Sequence, residues 1–110
     1  MHELSITQSV VDAVCERMGE AQVRRVQLEI GRLSGVVVDS VQFCFDLVAT
    51  GTTLDGAVLE IIEPAGRARC RNCAAEFECN DLLALCECGS ADLELLAGEE
   101  LRIKEVEVAA

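Results

Sequence analysis

The sequence predicts an α+β fold in which two helices lie on a three-stranded sheet, with a small cysteine-bearing module inserted before the last strand. Three observations carry this expectation. Two stretches repeat apolar residues at helical spacing, and others alternate or run apolar as strands do. After Pro64 the composition changes abruptly to a cysteine-rich stretch without helical period.

The first helix spans Leu4 to Met18. Ile6, Val10, Val14 and Met18 recur every four residues, and Val11 and Cys15 widen that stripe. Ser5 with Gln8 offers a capping box, and Gly19 a C-terminal stop. From Val23 to Gly31 the pattern alternates, with Val26, Leu28 and Ile30 on one face and Arg25, Gln27 and Glu29 on the other, as in a half-buried strand. "GRLSG", Gly31 to Gly35, is a loop. A second helix follows from Val38 or Asp39 to Thr50, with Val38, Val41, Phe45 and Val48 inward and Gly51 at its end. After a polar turn, "GTTLDG", a second strand covers Ala57 to Glu63 and is closed by Pro64. Leu93 to Leu96 is a short strand. Leu101 to Val108 is the last strand of the sheet, and its apolar phase slips at Lys104–Glu105, as a bulge or a change of covered face produces.

Composition bounds the function. Apolar residues make up 51% of the 110, enough for one core with or without a small satellite module. No apolar run approaches the ~20 residues of a membrane span. The first residues lack the basic start and apolar run of a secretory signal, so a cytoplasmic protein is expected. Nine Lys and Arg face twenty Asp and Glu, a net charge of −11. Nucleic-acid binding needs a positive footprint, and the one local basic cluster is Arg67, Arg69 and Arg71. Proteins or metal ions are the expected partners, rather than nucleic acid or a membrane.

The module reads Cys70-x2-Cys73, twelve residues, then Cys86-x-Cys88. Two tight pairs of thiolates on facing turns suit tetrahedral zinc, which makes the module zinc-ribbon-like. So small a unit has little core, and bound metal supplies its folding energy. The second pair is CxC, which projects its sulfurs differently from CxxC. Cys79, in "EFECN", is therefore an alternative fourth ligand. Cys15 and Cys44 fall within the helices as small buried hydrophobes.

The chain opens MHE, and His2 is its only histidine. A residue as large as His2 generally blocks removal of the initiator, so Met1 is expected to stay. The terminal amine, the His2 amide and the His2 imidazole can then wrap a metal that accepts a square-planar field, Ni(II) or Cu(II), whereas zinc prefers the thiolates. Glu3 can add an amide or a carboxylate oxygen. The plainer alternative is a solvated, frayed chain end. No nucleophile–base pair, no Gly-rich phosphate loop and no further histidine appear, so the chain is not expected to be an enzyme. A zinc-ribbon regulatory or nucleic-acid/protein-binding module is the competing reading.

"MHELSITQSVVDAV", "VQLEIGRLSGV", "FCFDLVATGT", "ELLAGEELRIKEVEV" and the paired cysteines together resemble the HypA/HybF nickel-insertion family, over Met1 to about Val108. The resemblance implies a metallochaperone that binds Ni(II) and delivers it for maturation of [NiFe]-hydrogenase, some members also serving urease. It implies a nickel-binding α/β domain over residues 1–64, completed by a C-terminal strand at 100–110, and a zinc-binding module at 65–99. Met1, His2 and Glu3 match the family's nickel ligands. Cys70, Cys73, Cys86 and Cys88 match its structural Zn(II) ligands. The implied partners are a GTP-hydrolysing nickel-insertion protein and the [NiFe]-hydrogenase large-subunit precursor. The chain departs from the family pattern at Cys86-Glu87-Cys88, where CxxC is usual, so the place of Cys79 stays open. Some relatives bring a loop aspartate to nickel. The nearest counterpart, Asp39, is left outside the ligand set.

Overall fold

A computed structural model describes residues 2–109, His2 by its backbone alone. The elements are α1 (His2–Met18), β1 (Val23–Ile30), α2 (Val38–Ala49), β2 (Val58–Ile62), β3 (Arg67–Cys70), β4 (Glu76–Glu78), β5 (Leu93–Ala97) and β6 (Leu101–Val108). The strands form two three-stranded sheets, ordered β2-β1-β6 and β4-β3-β5. The α+β architecture is thus the expected one, and the cysteine module contains a sheet of its own.

The chain divides into two compact units. One takes the chain up to Leu28, then Val36–Ile61 and the part from Arg102 onward. The other takes Glu29–Gly35 and Ile62–Leu101.

The first unit is built on apolar stripes. Val10, Val11 and Val14 of α1 and Val41, Phe45 and Ala49 of α2 are buried, together with Val23, Val26 and Leu28 of β1 and Leu59 of β2. Burying residues of this size stabilises by roughly 1.5–3 kcal/mol each, before the entropy of ordering them. The turn after α2 is polar apart from Leu54, which is fully buried and anchors it. α1 ends as expected: Gly19 takes a positive φ of 61°, and its N–H reaches Cys15 O at 3.0 Å. Its start is two residues earlier than the periodicity suggested. Ser5 therefore lies within the helix rather than capping it, and Gln8 Nε2 donates to Asp12 Oδ1 at 2.8 Å. Thr7, buried, donates its hydroxyl to Glu3 O at 2.6 Å and fixes the first turn.

The central strand β1 is tied to both neighbours. Arg25 reaches Glu60 of β2 at 3.3 Å and Glu105 and Glu107 of β6 at 3.5 and 3.3 Å. Such surface pairs contribute little to stability singly, but one guanidinium shared by three carboxylates on two strands fixes register. Gln27 joins the same Glu60 carboxylate. β6 runs antiparallel to β1: Ala109 N donates to Gln22 O at one end and Gly31 N to Glu100 O at the other, both at 2.8 Å. In β6 the half-buried apolar residues are Ile103 and Val106, three apart, and Ile103 to Val106 together line one groove against α1. The slip in apolar phase is thus real: Ile103 and Val106 are half-buried, while Glu105 between them reaches Arg25.

In the second unit β3 pairs antiparallel with β4 and with β5, with an irregularity between Arg67 and Ala68 on the β5 side. The cysteine-rich pattern, without helical period, does not mark β3 and β4 as strands. Their signal was short: Arg67-Ala68-Arg69-Cys70 alternates exposed and buried over one period only. The loop Gly31–Gly35 is built into this unit. Arg32 N donates to Pro64 O at 3.0 Å and Leu33 N to Gly98 O at 2.7 Å, and Leu33 is buried.

That arrangement requires glycine. A Cβ on Gly31 would stand 2.1 Å from Gly98 O, and one on Gly66 would stand 1.8 Å from Cys79 O. Both contacts are with backbone, which cannot step aside. Gly66→Ala is therefore expected to destabilise the protein by roughly 1–3 kcal/mol or more. Gly19→Ala, with φ of 61° and open space around it, costs only its left-handed backbone, about 1–2 kcal/mol. Thermal unfolding of the two variants should rank them in that order, and equal midpoints would show that the close approach does not matter.

Candidate functional site

The four cysteines come together because two turns are built alike. β3 ends at Cys70, whose N–H binds Ala75 O at 2.8 Å, while Ala74 N binds Cys70 O at 2.8 Å. In the second turn Cys86 N binds Ser90 O at 3.0 Å, and Gly89 N binds Cys86 O at 2.8 Å. The first turn thus closes from residue 70 to 75 and the second from 86 to 90, one residue shorter. In each, the residue after the second cysteine is left-handed, Ala74 at φ 66° and Gly89 at φ 91°. The CxC spacing is accommodated by a turn one residue tighter, with glycine where the tighter turn needs a positive φ.

The Sγ atoms of Cys70, Cys73, Cys86 and Cys88 all lie within 4.8 Å of one another. The close pairs cross between the turns: Cys70 to Cys88 at 3.7 Å and Cys73 to Cys86 at 3.5 Å. A tetrahedron with metal–sulfur bonds of ~2.3 Å has edges of about 3.8 Å, so this donor set fits a thiophilic, tetrahedral metal such as zinc. Cys70 and Cys86 are buried, and Cys73 and Cys88 face outward.

As thiols Cys70, Cys86 and Cys88 do not titrate alike. Cys88 is drawn down to about 6, first by the Asn72 amide and then by the Ser90 backbone N–H. Cys70 is lowered chiefly by the Cys73 backbone N–H. For Cys86 the Cys88 N–H also lowers the value, but burial and the sulfurs of Cys73, Cys88 and Cys70 outweigh it and raise the thiol to about 12. Crowded thiolates repel, and a shared cation removes that penalty. Asn72 Nδ2 stands 3.6 Å from Cys88 Sγ, a donor to the sulfur that no spacing rule pointed to, although it sits inside the CxxC itself.

Cys79 is buried elsewhere. Its Sγ donates to Asp81 O at 3.2 Å and its N–H to Gly66 O at 2.8 Å, so it is a core residue outside the four-sulfur group. Cys15 and Cys44 are half-buried rather than buried, and Cys15 Sγ faces Thr53 Oγ1 at 3.9 Å. The basic cluster is neutralised in part: Arg69 pairs with Glu76 and Glu94, and Arg71 with Asp92.

Of the N-terminal candidates, Met1 and the His2 side chain lie outside the described residues. Glu3 lies within them. Its carboxylate accepts the N–H of Val37 at 3.1 Å, at the start of α2, where Val37 has no side-chain cap of its own. Glu3 thus caps a second helix from the first turn of its own, a favourable place for a carboxylate. Sequence pattern gave no sign of this contact, because it joins residues 34 positions apart.

Among the described residues no helix is long and apolar enough to cross a membrane. The family model described as "Hydrogenase/urease nickel incorporation, metallochaperone, hypA" matches residues 1–108. The hydrogenase maturation factor HypA of Trichormus variabilis is 54% identical over 108 residues, covering 98% of this chain and 96% of its own length. That of Geobacter sulfurreducens is 47% identical over 110 residues, covering 98% and 99%. Among solved structures, the solution structure of the Ni metallochaperone HypA from Helicobacter pylori matches with a TM-score of 0.68 at 26% identity, covering 100% of this chain and 99% of that one. A second solution structure, of a HypA protein, matches the fold with a TM-score of 0.69 at 23% identity, covering 99% and 97%.

If the four sulfurs hold one metal, Cys73→Ser lowers retained zinc well below one equivalent and loosens the second unit. Cys79→Ser keeps the full equivalent. Metal analysis after dialysis distinguishes them, and a Cys73→Ser protein with a full equivalent refutes the four-sulfur assignment.

Proposed function

This chain belongs to the HypA family of hydrogenase/urease nickel-incorporation metallochaperones, and from that premise we propose that it takes up Ni(II) as cargo at Met1, His2 and Glu3. It is a nickel metallochaperone for hydrogenase maturation, not an enzyme. The domain holding the nickel hand is residues 1–64 with the strand at 100–110. The module at 65–99 holds structural Zn(II) on Cys70, Cys73, Cys86 and Cys88. The nickel passes to a GTP-hydrolysing nickel-insertion protein and the [NiFe]-hydrogenase large-subunit precursor, in the cytoplasm.

The observation that supports the nickel assignment is how Glu3, in the first turn of α1, is held. α1 begins at His2, Thr7 pins Glu3 O, and the Glu3 carboxylate is tied to Val37. The first N–H groups of a helix have no acceptor within it, which suits the backbone amide of His2 to a metal. A deprotonated amide is an anion, and the positive end of a helix favours anions. The amine, the His2 amide and the imidazole then form consecutive small chelate rings, a set that square-planar Ni(II) accepts. The zinc-ribbon binding-module alternative is the weaker reading, since Arg69 and Arg71 are engaged by carboxylates rather than offered to phosphate.

Protons compete with nickel at the amine and the imidazole. Unperturbed values are about 7.7–8 for the amine and ~6.5 for the imidazole. Both groups are increasingly protonated as pH falls through the sixes, so nickel is released in that window, whereas a site of carboxylates alone would respond at lower pH. Untagged wild type is expected to bind one nickel above its zinc and to release it on mild acidification. An N-terminal extension turns the amine into an amide, and His2→Ala removes the imidazole. Both variants should lose nickel and keep zinc. Titration calorimetry with metal analysis reads this out, and tight, pH-independent nickel binding by the extended protein moves the site elsewhere.

A further inference from the structure

The outward face of α2 is apolar and uncovered. Phe43 is 69% exposed and Leu47 61% exposed. Four residues apart, they form one ridge, opposite the buried Val41, Phe45 and Ala49. Phe43 is one of three aromatic residues in the whole chain, and an aromatic ring left in water forgoes the largest burial gain a side chain offers. Val37, where α2 begins, is 55% exposed as well.

The charges that α2 itself sets beside the ridge are both negative. Asp39 lies four residues before Phe43 and Asp46 three after it, so both border the ridge, and α2 contains no Lys, Arg or His. We propose that this face of α2 is a docking surface for a partner protein that presents an apolar ridge flanked by Lys or Arg. The proposal rests on the metallochaperone reading, in which nickel must pass to a protein.

Charge selects the occupant. A second copy of the chain would bring the same aspartates and a further net charge of −11, setting like against like. An anionic bilayer is disfavoured in the same way. A basic amphipathic segment instead gains both terms: its apolar side chains cover Phe43 and Leu47, and its cations meet Asp39 and Asp46. The location also suits delivery. Val37 N–H is bonded to the Glu3 carboxylate, so a partner lying along α2 has one end beside the nickel hand.

The test uses untagged, zinc-loaded full-length protein with the purified cognate nickel GTPase and the purified hydrogenase large-subunit precursor, binding being measured by titration calorimetry at two salt concentrations. Phe43→Ser/Leu47→Ser should weaken binding to at least one of the two by tenfold or more. Nickel content, zinc content and melting should be unchanged, because neither side chain is buried. Asp46→Lys should weaken the same complex and flatten its salt dependence. If both variants bind both proteins within twofold of wild type, the proposal is wrong. It is equally wrong if sedimentation shows that Phe43→Ser/Leu47→Ser only dissolves a wild-type dimer, or if wild type binds phosphatidylglycerol vesicles through this face. Failure of the underlying metallochaperone reading is separate and visible in the same samples, as wild type that takes up no nickel.

Discussion

The second unit has almost nothing to bury. Its side chains removed from water are Ile30, Leu33, Ala68, Cys70, Cys79 and Cys86, with Glu29 beside them. Half of the six apolar ones are cysteines. A unit of this size does not recover the entropy of ordering its chain from such a core. Its structure depends instead on two contacts of another kind. Four sulfurs converge to the spacing of a tetrahedral metal site, and backbones press together wherever glycine lets them, at Gly66 against Cys79 and Gly31 against Gly98. Metal binding and close backbone packing both substitute for missing apolar volume. The first unit needs neither, because its helices and sheet close over Phe45, Leu28, Leu54 and a row of valines.

This difference explains what could be read from the sequence. α1, β1, α2 and β6 were legible because an apolar stripe repeated often enough to fix both period and phase. β3 and β4 were not, since elements of four and three residues show a single alternation, hidden among arginines and glutamates. The start of α1 was set two residues late because a first turn needs no apolar residue. Its evidence lies in a side-chain bond within the helix, Thr7 to Glu3 O, and in a tertiary one, Val37 N–H to the Glu3 carboxylate. Leu54 hid inside a polar turn for a related reason: one buried side chain has no period. Glu29 alternates outward with Arg25 and Gln27 yet is buried, since the face it points to is covered in the second unit.

The two candidate sites were legible to different degrees. Spacing named the four cysteines whose sulfurs meet, while leaving Cys79 as a rival that only its bonds to Asp81 and Gly66 remove. Spacing also raised the CxC irregularity without its resolution, which lies in backbone conformation at Gly89 and in a turn closed one residue sooner. At the other site a sequence can name Met-His-Glu, but it cannot show that Glu3 reaches across to α2. Contacts between distant segments leave no local signature.

The way Gly31–Gly35 is held also bears on how such a module is moved between proteins. By sequence it is one cassette, cut out between Pro64 and Leu101. By hydrogen bonding it is two pieces, because Pro64, Gly98 and Glu100 each give a carbonyl to Arg32, Leu33 or Gly31. A graft carrying Ile62–Leu101 alone into a new host would leave three acceptors without donors and a hollow where Leu33 sits. The transferable unit is discontinuous, so its ancestry and its engineering both have to include the tail of a strand that chain order assigns to the other half of the molecule.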